Sequence, residues 1–323
     1  MELSCAFPAA VRHVDHAVLA ESLGYSRVWF YDSPALYEDV WMVLALAADR
    51  TARVGLGPAV VVPDLRHVLV TASAIATLED LAPGRAQVAI GTGFTGRMVL
   101  GRPPLPWKFV ARYVRDLRAL LRGEQVEVDG RAVQMIHPPG YGPPRPIDVP
   151  VLIAANGPKG LAVAEELGDG VMCVVNPVSG WDRCALLTFG TVLDDGEQPG
   201  DERPLAAAGP AAAVAYHGLY AANPDAVDGL PGGVAWRAAI EAVPEARRHL
   251  AIHEDHLVAL TDRDRQALAD PSLISGFTWT GSPADVKARA AAAVDGGATE
   301  LLYAPMGPDI ERELRTFQQA VLG

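Results

Sequence analysis

The 323-residue chain has few of the residues that mark secreted, metal-binding or nucleic-acid-binding proteins. Its three cysteines (Cys5, Cys173 and Cys184) have no metal-ligand spacing, and we interpret them as small buried apolar residues in a reducing compartment. Lys and Arg number 27 against 39 Asp and Glu, which gives a net charge of -12. An acidic surface repels phosphodiester backbones, so we expect no nucleic-acid partner.

Long hydrophobic runs are also missing. The Ala-rich stretch Leu205 to Ala215 is interrupted by Gly209 and Pro210, and no apolar segment is long enough to be expected to span a membrane. The first residues lack the charged, apolar and small-residue order of a signal peptide. We therefore expect a cytoplasmic protein whose partner is a small-molecule substrate.

Several catalytic signatures are absent as well. There is no G-x-S-x-G nucleophile elbow, and no G-x-G-x-x-G follows the first apolar run, which argues against a dinucleotide-binding Rossmann domain. His253 and His256 stand three residues apart, whereas a zincin helix needs a spacing of four. We interpret them as a surface or interface pair and expect no metal.

What the sequence does contain is a regular alternation of short apolar runs and longer segments of helical period. This pattern predicts βαβ units with a parallel sheet, and its evenness favours a (β/α)8 TIM barrel over a doubly wound sheet. The expected strands lie near residues 3–7, 27–31, 54–62, 86–90, 149–155, 171–175 and 301–303. Asp129-Gly130 predicts a type I′ hairpin, and Ser282-Pro283-Ala284-Asp285 predicts a helix start.

Residues 176–277 follow the alternation poorly. We expect one TIM-barrel domain over 1–323, with a helical insertion near the C-terminal mouth at about 176–277.

Two loops at predicted strand ends are candidates for ligand binding. Gly91-Thr92-Gly93 exposes backbone against which a flat aromatic ring could lie, although such loops are also ordinary tight turns. Ala154 to Gly160 runs from a strand into a helix start, where free N–H groups and the helix dipole favour a phosphate and Lys159 adds charge. The alternative is an ordinary capped helix.

Several segments together resemble the bacterial-luciferase-like superfamily, and most closely its coenzyme F420-dependent branch of the methylenetetrahydromethanopterin reductase type. They cover roughly a third of the chain in barrel order. The segments are AESLGYSRVWFYD (20–32), RVGLGPAVVVPDLRH (53–67), TASAIATLEDLAPGRAQVAIGTG (71–93), ANGPKGLAVAEELGDGV (155–171) and GSPADVKARAAAAVDGGATELLY (281–303).

The resemblance implies a (β/α)8 barrel, a homodimer, and a cofactor ring at the barrel mouth. It implies a cis peptide bond between Ala59 and Val60 behind the ring. The cofactor tail would match the segment around Asn156. The implied cofactor-binding set is Ala59, Val60, Gly91, Gly93, Ala155, Asn156, Gly157 and Lys159. In the expected barrel, Arg66 and Arg183 lie near enough to supply further cations for an anionic tail.

The chain departs from this family at two positions. Ser33 stands where many relatives have a histidine, and Phe94 stands where they often have an acid, so the usual proton donors are missing. Ser33, Tyr37 and Asp39 are the candidate catalytic residues in their place. Trp41, Phe94 and Trp107 are the candidate walls of an apolar substrate pocket.

Three functions follow as hypotheses. The first is an oxidoreductase that transfers a hydride between coenzyme F420 and a small organic substrate. The second is an FMN-dependent monooxygenase on the same barrel. The third is a non-catalytic flavin-binding relative, since function depends on the site and not on the fold.

Overall fold

A computed structural model describes all 323 residues, and its main feature is a sheet of eight parallel strands. In chain order the strands are β1 (Glu2–Pro8), β2 (Arg27–Tyr31), β3 (Gly55–Pro58), β4 (Val88–Ile90), β5 (Val151–Ala154), β6 (Gly170–Cys173), β7 (Cys184–Thr188) and β8 (Glu300–Tyr303). Except for β3 and β4, each strand pairs with the next along the chain, and β8 pairs with β1. Parallel bridges from Leu56 to Ala86 and from Val61 to Ile90 join β3 to β4. The sheet therefore closes into the predicted (β/α)8 barrel.

Thirteen α-helices accompany the strands. They are α1 (Val14–Ser22), α2 (Val40–Arg50), α3 (Val68–Leu81), α4 (Phe94–Met98), α5 (Trp107–Arg122), α6 (Pro158–Leu167), α7 (Glu202–Ala222), α8 (Gly233–Glu241), α9 (Arg248–Ile252), α10 (Asp262–Ala267), α11 (Ser272–Phe277), α12 (Pro283–Asp295) and α13 (Ile310–Leu322). None of them is long and apolar enough to cross a bilayer.

Local sequence signals explain how several elements begin and turn. Ser282 caps α12 in a capping box with Asp285, as predicted. The short hairpin formed by Val126–Val128 and Arg131–Val133 turns at Asp129 and Gly130, which have φ angles of 51° and 72°. Positive φ at both turn residues is the type I′ geometry that the sequence predicts.

The apolar residues form three separate clusters. A ring of 60 buried residues lies between the strands and the outer helices, and eight more fill the barrel interior around Trp29 and Met172. A third cluster of 12 residues belongs to α7–α11 and centres on Tyr216 and Trp236. These five helices lie between β7 and β8 in the chain. The segment 176–277 thus contains one barrel strand, β7, and its helical part begins at Glu202.

Candidate active site

The C-terminal ends of the strands surround one cavity of about 430 Å³, here called the mouth cavity. Of its 26 lining residues 17 are hydrophobic, so it suits a flat and largely apolar molecule. Most strands contribute wall residues, and α7 and the segment after α9 close one side. The wall residues from these elements include Ala6, Tyr31, Ala59, Gly91, Ala154, Met172, Leu187, Phe189, Leu302, Val214, His256 and Leu257.

The wall at β3 and β4 is built by close approach of backbone. The bond between Ala59 and Val60 is cis, which confirms the geometry that the resemblance implies. A Cβ atom on Gly91 would lie 3.0 Å from Val60 Cγ2 and 3.3 Å from Ala154 Cβ. Gly93 has a φ of 78°, and a side chain there would overlap Val62. Both glycines therefore leave a cradle that any side chain would fill.

The segment from β5 into α6 forms a second part of the rim. The Asn156 side chain accepts a hydrogen bond from Val174 N (3.1 Å) and donates one to Asn176 O (3.3 Å), which ties the ends of β5 and β6 together. Gly157 is the N-cap of α6, and the space where its Cβ would lie is empty. Ala155 and Asn156 line the mouth cavity, whereas Gly157 and Lys159 lie just outside it on the exposed first turn of α6.

The structure separates the three candidate catalytic residues. Ser33 and Tyr37 line the mouth cavity, and the Tyr37 hydroxyl donates a 2.6 Å hydrogen bond to the carbonyl of His256. Burial raises the pKa of Tyr37, so its hydroxyl stays protonated.

Asp39 does not line the cavity. It caps α2 by accepting hydrogen bonds from Trp41 N and Met42 N, and it pairs with Arg66 at 2.8 Å. Although partial burial opposes it, these bonds lower the pKa of Asp39. A carboxylate held by the helix terminus and an arginine has a structural role, which corrects the catalytic assignment of Asp39.

The three aromatic candidates do not all lie at the cavity. Phe94 and Trp107 line the mouth cavity, and Phe94 keeps 47% of its surface exposed. Trp41 packs against the outer apolar ring and is not among the residues that line the cavity. The structure therefore does not support its assignment to the substrate pocket.

Two of the three cations expected at the cavity rim, Arg66 and Arg183, form ion pairs with carboxylates of the protein. Arg183 precedes β7 at the opposite end of the barrel, where it donates to Gln87 and lies 3.6 Å from the buried carboxylate of Glu300. It cannot reach the mouth, so its assignment to a cofactor tail is wrong. Arg66 pairs with Asp39 and lies 3.5 Å from Asp32. Lys159 is the remaining cation of the predicted set.

Besides Tyr31, two titratable wall residues were not predicted from the sequence. Asp32 is 3% exposed and lines the mouth cavity, and its Oδ2 has no hydrogen-bond partner. Burial raises the pKa of Asp32, and Arg66 only partly opposes this. The second residue is His256, whose Nε2 lies 3.3 Å from the hydroxyl of Thr95.

His253 and His256 are each only 3% exposed, so the interpretation as a surface or interface pair is wrong. The chain between α9 and α10 turns inward, and Asp255 and Leu257 have positive φ angles there. This turn brings His256 against α7. No group of three or more His, Cys, Asp or Glu residues has the geometry of a metal site.

The sequence is similar to those of several known proteins. The family model described as "Luciferase-like monooxygenase" matches residues 5–183. A 5,10-methylenetetrahydromethanopterin reductase from Methanolobus tindarius is 26% identical, over 95% of this chain and 94% of that protein. An F420-dependent glucose-6-phosphate dehydrogenase from Beutenbergia cavernae is 36% identical, over 49% of this chain and 51% of that protein.

The solved structure of a coenzyme F420-dependent tetrahydromethanopterin reductase from Methanopyrus kandleri has the same fold. It superposes with a TM-score of 0.68 over 100% of this chain and 99% of its own, at 21% sequence identity.

Proposed function

The chain belongs to the luciferase-like monooxygenase family, and on that premise we propose that it is an oxidoreductase that transfers a hydride between coenzyme F420 and a small organic substrate. The observation that supports this most directly is the apolar mouth cavity, whose wall at Val60 and Gly91 has no room for another side chain. Such a wall suits the face of a tricyclic ring.

The residues around the cavity fit a deazaflavin with an anionic tail. Ala59, Val60 and Gly91 would lie against the ring, and Ala155 and Asn156 would border its edge. The first turn of α6 offers free backbone N–H groups at Gly157 and Lys159, where the positive end of the helix dipole favours a phosphate. When bound, the deazaflavin accepts or donates a hydride at a ring carbon.

The protein's own contribution is to orient the reactants and to keep water out. Apolar walls around the ring exclude water and strengthen every polar contact that remains. Among the three candidate catalytic residues, Ser33 lines the cavity and its hydroxyl makes no hydrogen bond to the protein, whereas the Tyr37 hydroxyl is hydrogen-bonded to His256. We therefore assign Ser33 to hydrogen bonding with a polar atom of the substrate.

A second candidate function is FMN-dependent monooxygenation, which the family description favours. FMN also carries a phosphate, so the first turn of α6 would suit either cofactor. Titration of the apoprotein with F420 and with FMN, followed by fluorescence, separates the two functions. We expect tighter binding of F420. Binding of FMN alone, with oxygen-dependent turnover, would reverse the order of the two functions.

We also propose a homodimer. Helices α2 and α3 pack against each other and each exposes an apolar side chain, with Met42 72% and Val70 53% exposed. A second copy of the chain would cover them. Light scattering on the purified protein measures the mass directly, and a monomer mass at micromolar concentration would refute this proposal.

A further inference from the structure

Four titratable side chains line the mouth cavity: Tyr31, Asp32, Tyr37 and His256. Burial raises the pKa of both tyrosines. Burial also raises the pKa of Asp32, whose Oδ2 has no hydrogen-bond partner, while its Oδ1 lies 3.5 Å from the guanidinium of Arg66. His256 is therefore the wall residue whose ordinary pKa lies closest to neutrality, and imidazole is the side chain best suited to exchange a proton there.

His256 belongs to a row of polar groups that leads away from the cavity. Its Nε2 lies 3.3 Å from Thr95 Oγ1, and Thr95 also lines the cavity. Its Nδ1 lies 3.1 Å from Nδ1 of His217. The Nε2 of His217 has no hydrogen-bond partner and lies 3.6 Å from Asp264 Oδ1, which is ion-pair distance when the imidazole is protonated. We call Thr95, His256, His217 and Asp264 the histidine relay.

The far end of the relay is a fixed negative charge. Asp264 accepts hydrogen bonds from Trp236 Nε1 (2.7 Å) and from the hydroxyl of Thr261 (2.6 Å). Burial would raise the pKa of Asp264, but His217 and these two donors outweigh it and lower the pKa to about 2. Asp264 is thus ionised at any physiological pH.

The contact between the two histidines allows two proton arrangements. Only one hydrogen fits between the two Nδ1 atoms. When both rings are neutral and His217 holds its proton on Nε2 towards Asp264, His256 donates from Nδ1 and its Nε2 is free to accept. When the row holds one more proton, His217 becomes an imidazolium beside Asp264, and the Nε2 of His256 donates towards Thr95. The histidine relay can therefore store one proton. The Nε2 of His256 is a base at the cavity before the relay takes up this proton and an acid afterwards.

We propose that His256 is the acid–base residue of the mouth cavity and that it serves an alcohol–carbonyl substrate, with His217 and Asp264 as positioning residues that hold the transferred proton. The proposal rests on the proposed F420-dependent function. It also explains how the chain works without a histidine at Ser33 or an acid at Phe94. The replacement comes from the segment between α9 and α10.

The atoms balance for oxidation of an alcohol. The C–H bond breaks and its hydrogen leaves with the electron pair to the oxidised deazaflavin. The O–H bond breaks as well, and the C=O double bond forms. The hydroxyl proton passes to Thr95 Oγ1 while the Thr95 hydroxyl gives its own proton to His256 Nε2. His256 then passes its Nδ1 proton to His217, which becomes the cation beside Asp264. Carbonyl reduction is the same sequence reversed.

The charges around His256 agree with a base at rest. Burial lowers the pKa of His256 well below its usual value, His217 and His253 act in the same direction, and Asp264 opposes them. Tyr37 faces the backbone of His256 as a neutral donor. Arg263 lies 3.8 Å from Asp264 on the far side. Neutral His256 can accept a proton, and Asp264 stabilises the protonated row.

Nuclear magnetic resonance of protein labelled with ¹⁵N-histidine tests the relay without a substrate. The signals are assigned by their loss in His217→Gln and His256→Gln. We expect Asp264→Asn to shift the ring nitrogens of both His217 and His256, and Thr95→Val to shift Nε2 of His256. His13→Gln, at a remote buried histidine, is the matched control. If folded Asp264→Asn and Thr95→Val both leave the His256 signals unchanged, the relay does not exist.

Steady-state kinetics test whether the histidine relay takes part in the reaction. Propan-2-ol, cyclohexanol and 1-phenylethanol are offered with oxidised F420, and formation of reduced F420 is followed. His256→Gln should lower kcat about 100-fold with little change in KM, the usual size for loss of a general base. Thr95→Val should lower kcat less, and Thr95→Ser should restore it. Asp264→Asn should move the acidic limb of the kcat profile to lower pH, because the protonated row loses its stabilising anion.

The outcomes separate this proposal from the proposed function. If F420 does not bind the wild-type protein, the proposed function fails. If F420 binds but none of the three alcohols is oxidised, or if His256→Gln keeps the wild-type kcat and pH profile, only the histidine relay is overturned.

Discussion

Gly160 packs closely against the indole ring of Trp107. A Cβ atom on Gly160 would stand 2.8 Å from Trp107 Cε2 and 2.7 Å from Ala155 Cβ, closer than packed atoms approach. Trp107 begins α5 and lines the mouth cavity, and Gly160 lies in the first turn of α6. The position of this cavity wall therefore depends on the absence of a side chain at residue 160.

Gly160→Ala should push Trp107 towards the cavity and destabilise the protein by about 1–3 kcal/mol, the usual cost of overpacking. Urea unfolding measures the free energy, and a change in F420 affinity reports the displaced wall. Gly276→Ala in α11 is the matched control, because the space at its Cβ is empty and this exposed glycine does not line the mouth cavity. Equal F420 affinity in both variants would show that Trp107 does not border the cofactor.

The first turn of α6 can be tested with two substitutions of the same size. Gly157→Asp should weaken F420 binding at least about tenfold, because a carboxylate repels a phosphate held at the helix N-terminus. Gly157→Asn occupies the same empty space without the charge and should bind nearly as well as the wild type. If fluorescence titration gives the two variants the same affinity, the phosphate lies elsewhere.

His253 should make the protein less stable in mild acid. Burial lowers its pKa from 6.5 to about 4, and the 2.7 Å contact with the carbonyl of His249 only partly opposes this. Between these pH values the unfolded chain binds a proton at His253 that the folded chain refuses, so stability falls as the pH drops from 6.5 towards 4. The loss from this residue should approach about 3 kcal/mol, because each unit of pKa difference corresponds to about 1.4 kcal/mol.

Urea unfolding of His253→Gln at pH 7 and pH 4.5 checks this dependence. The variant should lose less stability than the wild type over that interval. His137→Gln, in the loop after the hairpin, is the control and should keep the wild-type dependence. An unchanged dependence in His253→Gln would mean that His253 titrates normally in the folded protein.

Asp39 provides a test of its structural role. Asp39→Ala removes the N-cap of α2 and should cost about 1 kcal/mol, whereas Asp39→Asn keeps a capping side chain and should cost less. Thermal unfolding ranks the two variants. Because Asp39 lies outside the mouth cavity, Asp39→Asn should bind F420 as tightly as the wild type does. A large loss of F420 affinity in Asp39→Asn would show that Asp39 does contribute to cofactor binding.

The sequence was sufficient for the features that depend on local patterns. The alternation of apolar runs and helical segments predicted the barrel, since each strand end feeds a helix that packs back on the sheet. Asp129-Gly130 and Ser282 predicted a turn and a helix start because their chemistry acts within a few residues. The two loops at residues 91–93 and 154–160 followed from the rule that barrel sites lie at strand C-termini, whereas Ser33, Tyr37 and Phe94 were suggested by the family resemblance.

Residues whose role depends on distant partners were not predictable in this way. Thr95 and His256 are 161 positions apart, and no local pattern announces their contact. Arg183 was misassigned because its buried partner Glu300 lies 117 residues further along the chain, at the other end of the barrel. For Asp39 a signal did exist: an aspartate directly before an apolar helical segment is a typical N-cap.

The helices α7–α11 have their own apolar cluster around Tyr216 and Trp236, separate from the clusters of the barrel. The cavity wall next to the cofactor cradle thus belongs to one packing unit, and the wall with His256 belongs to another. Because the helical cluster and the cluster inside the barrel share no residue, we expect a substitution within the five helices to leave the packing behind the cradle unchanged. The side of the cavity that carries His256 should therefore be open to redesign without rebuilding the cofactor cradle.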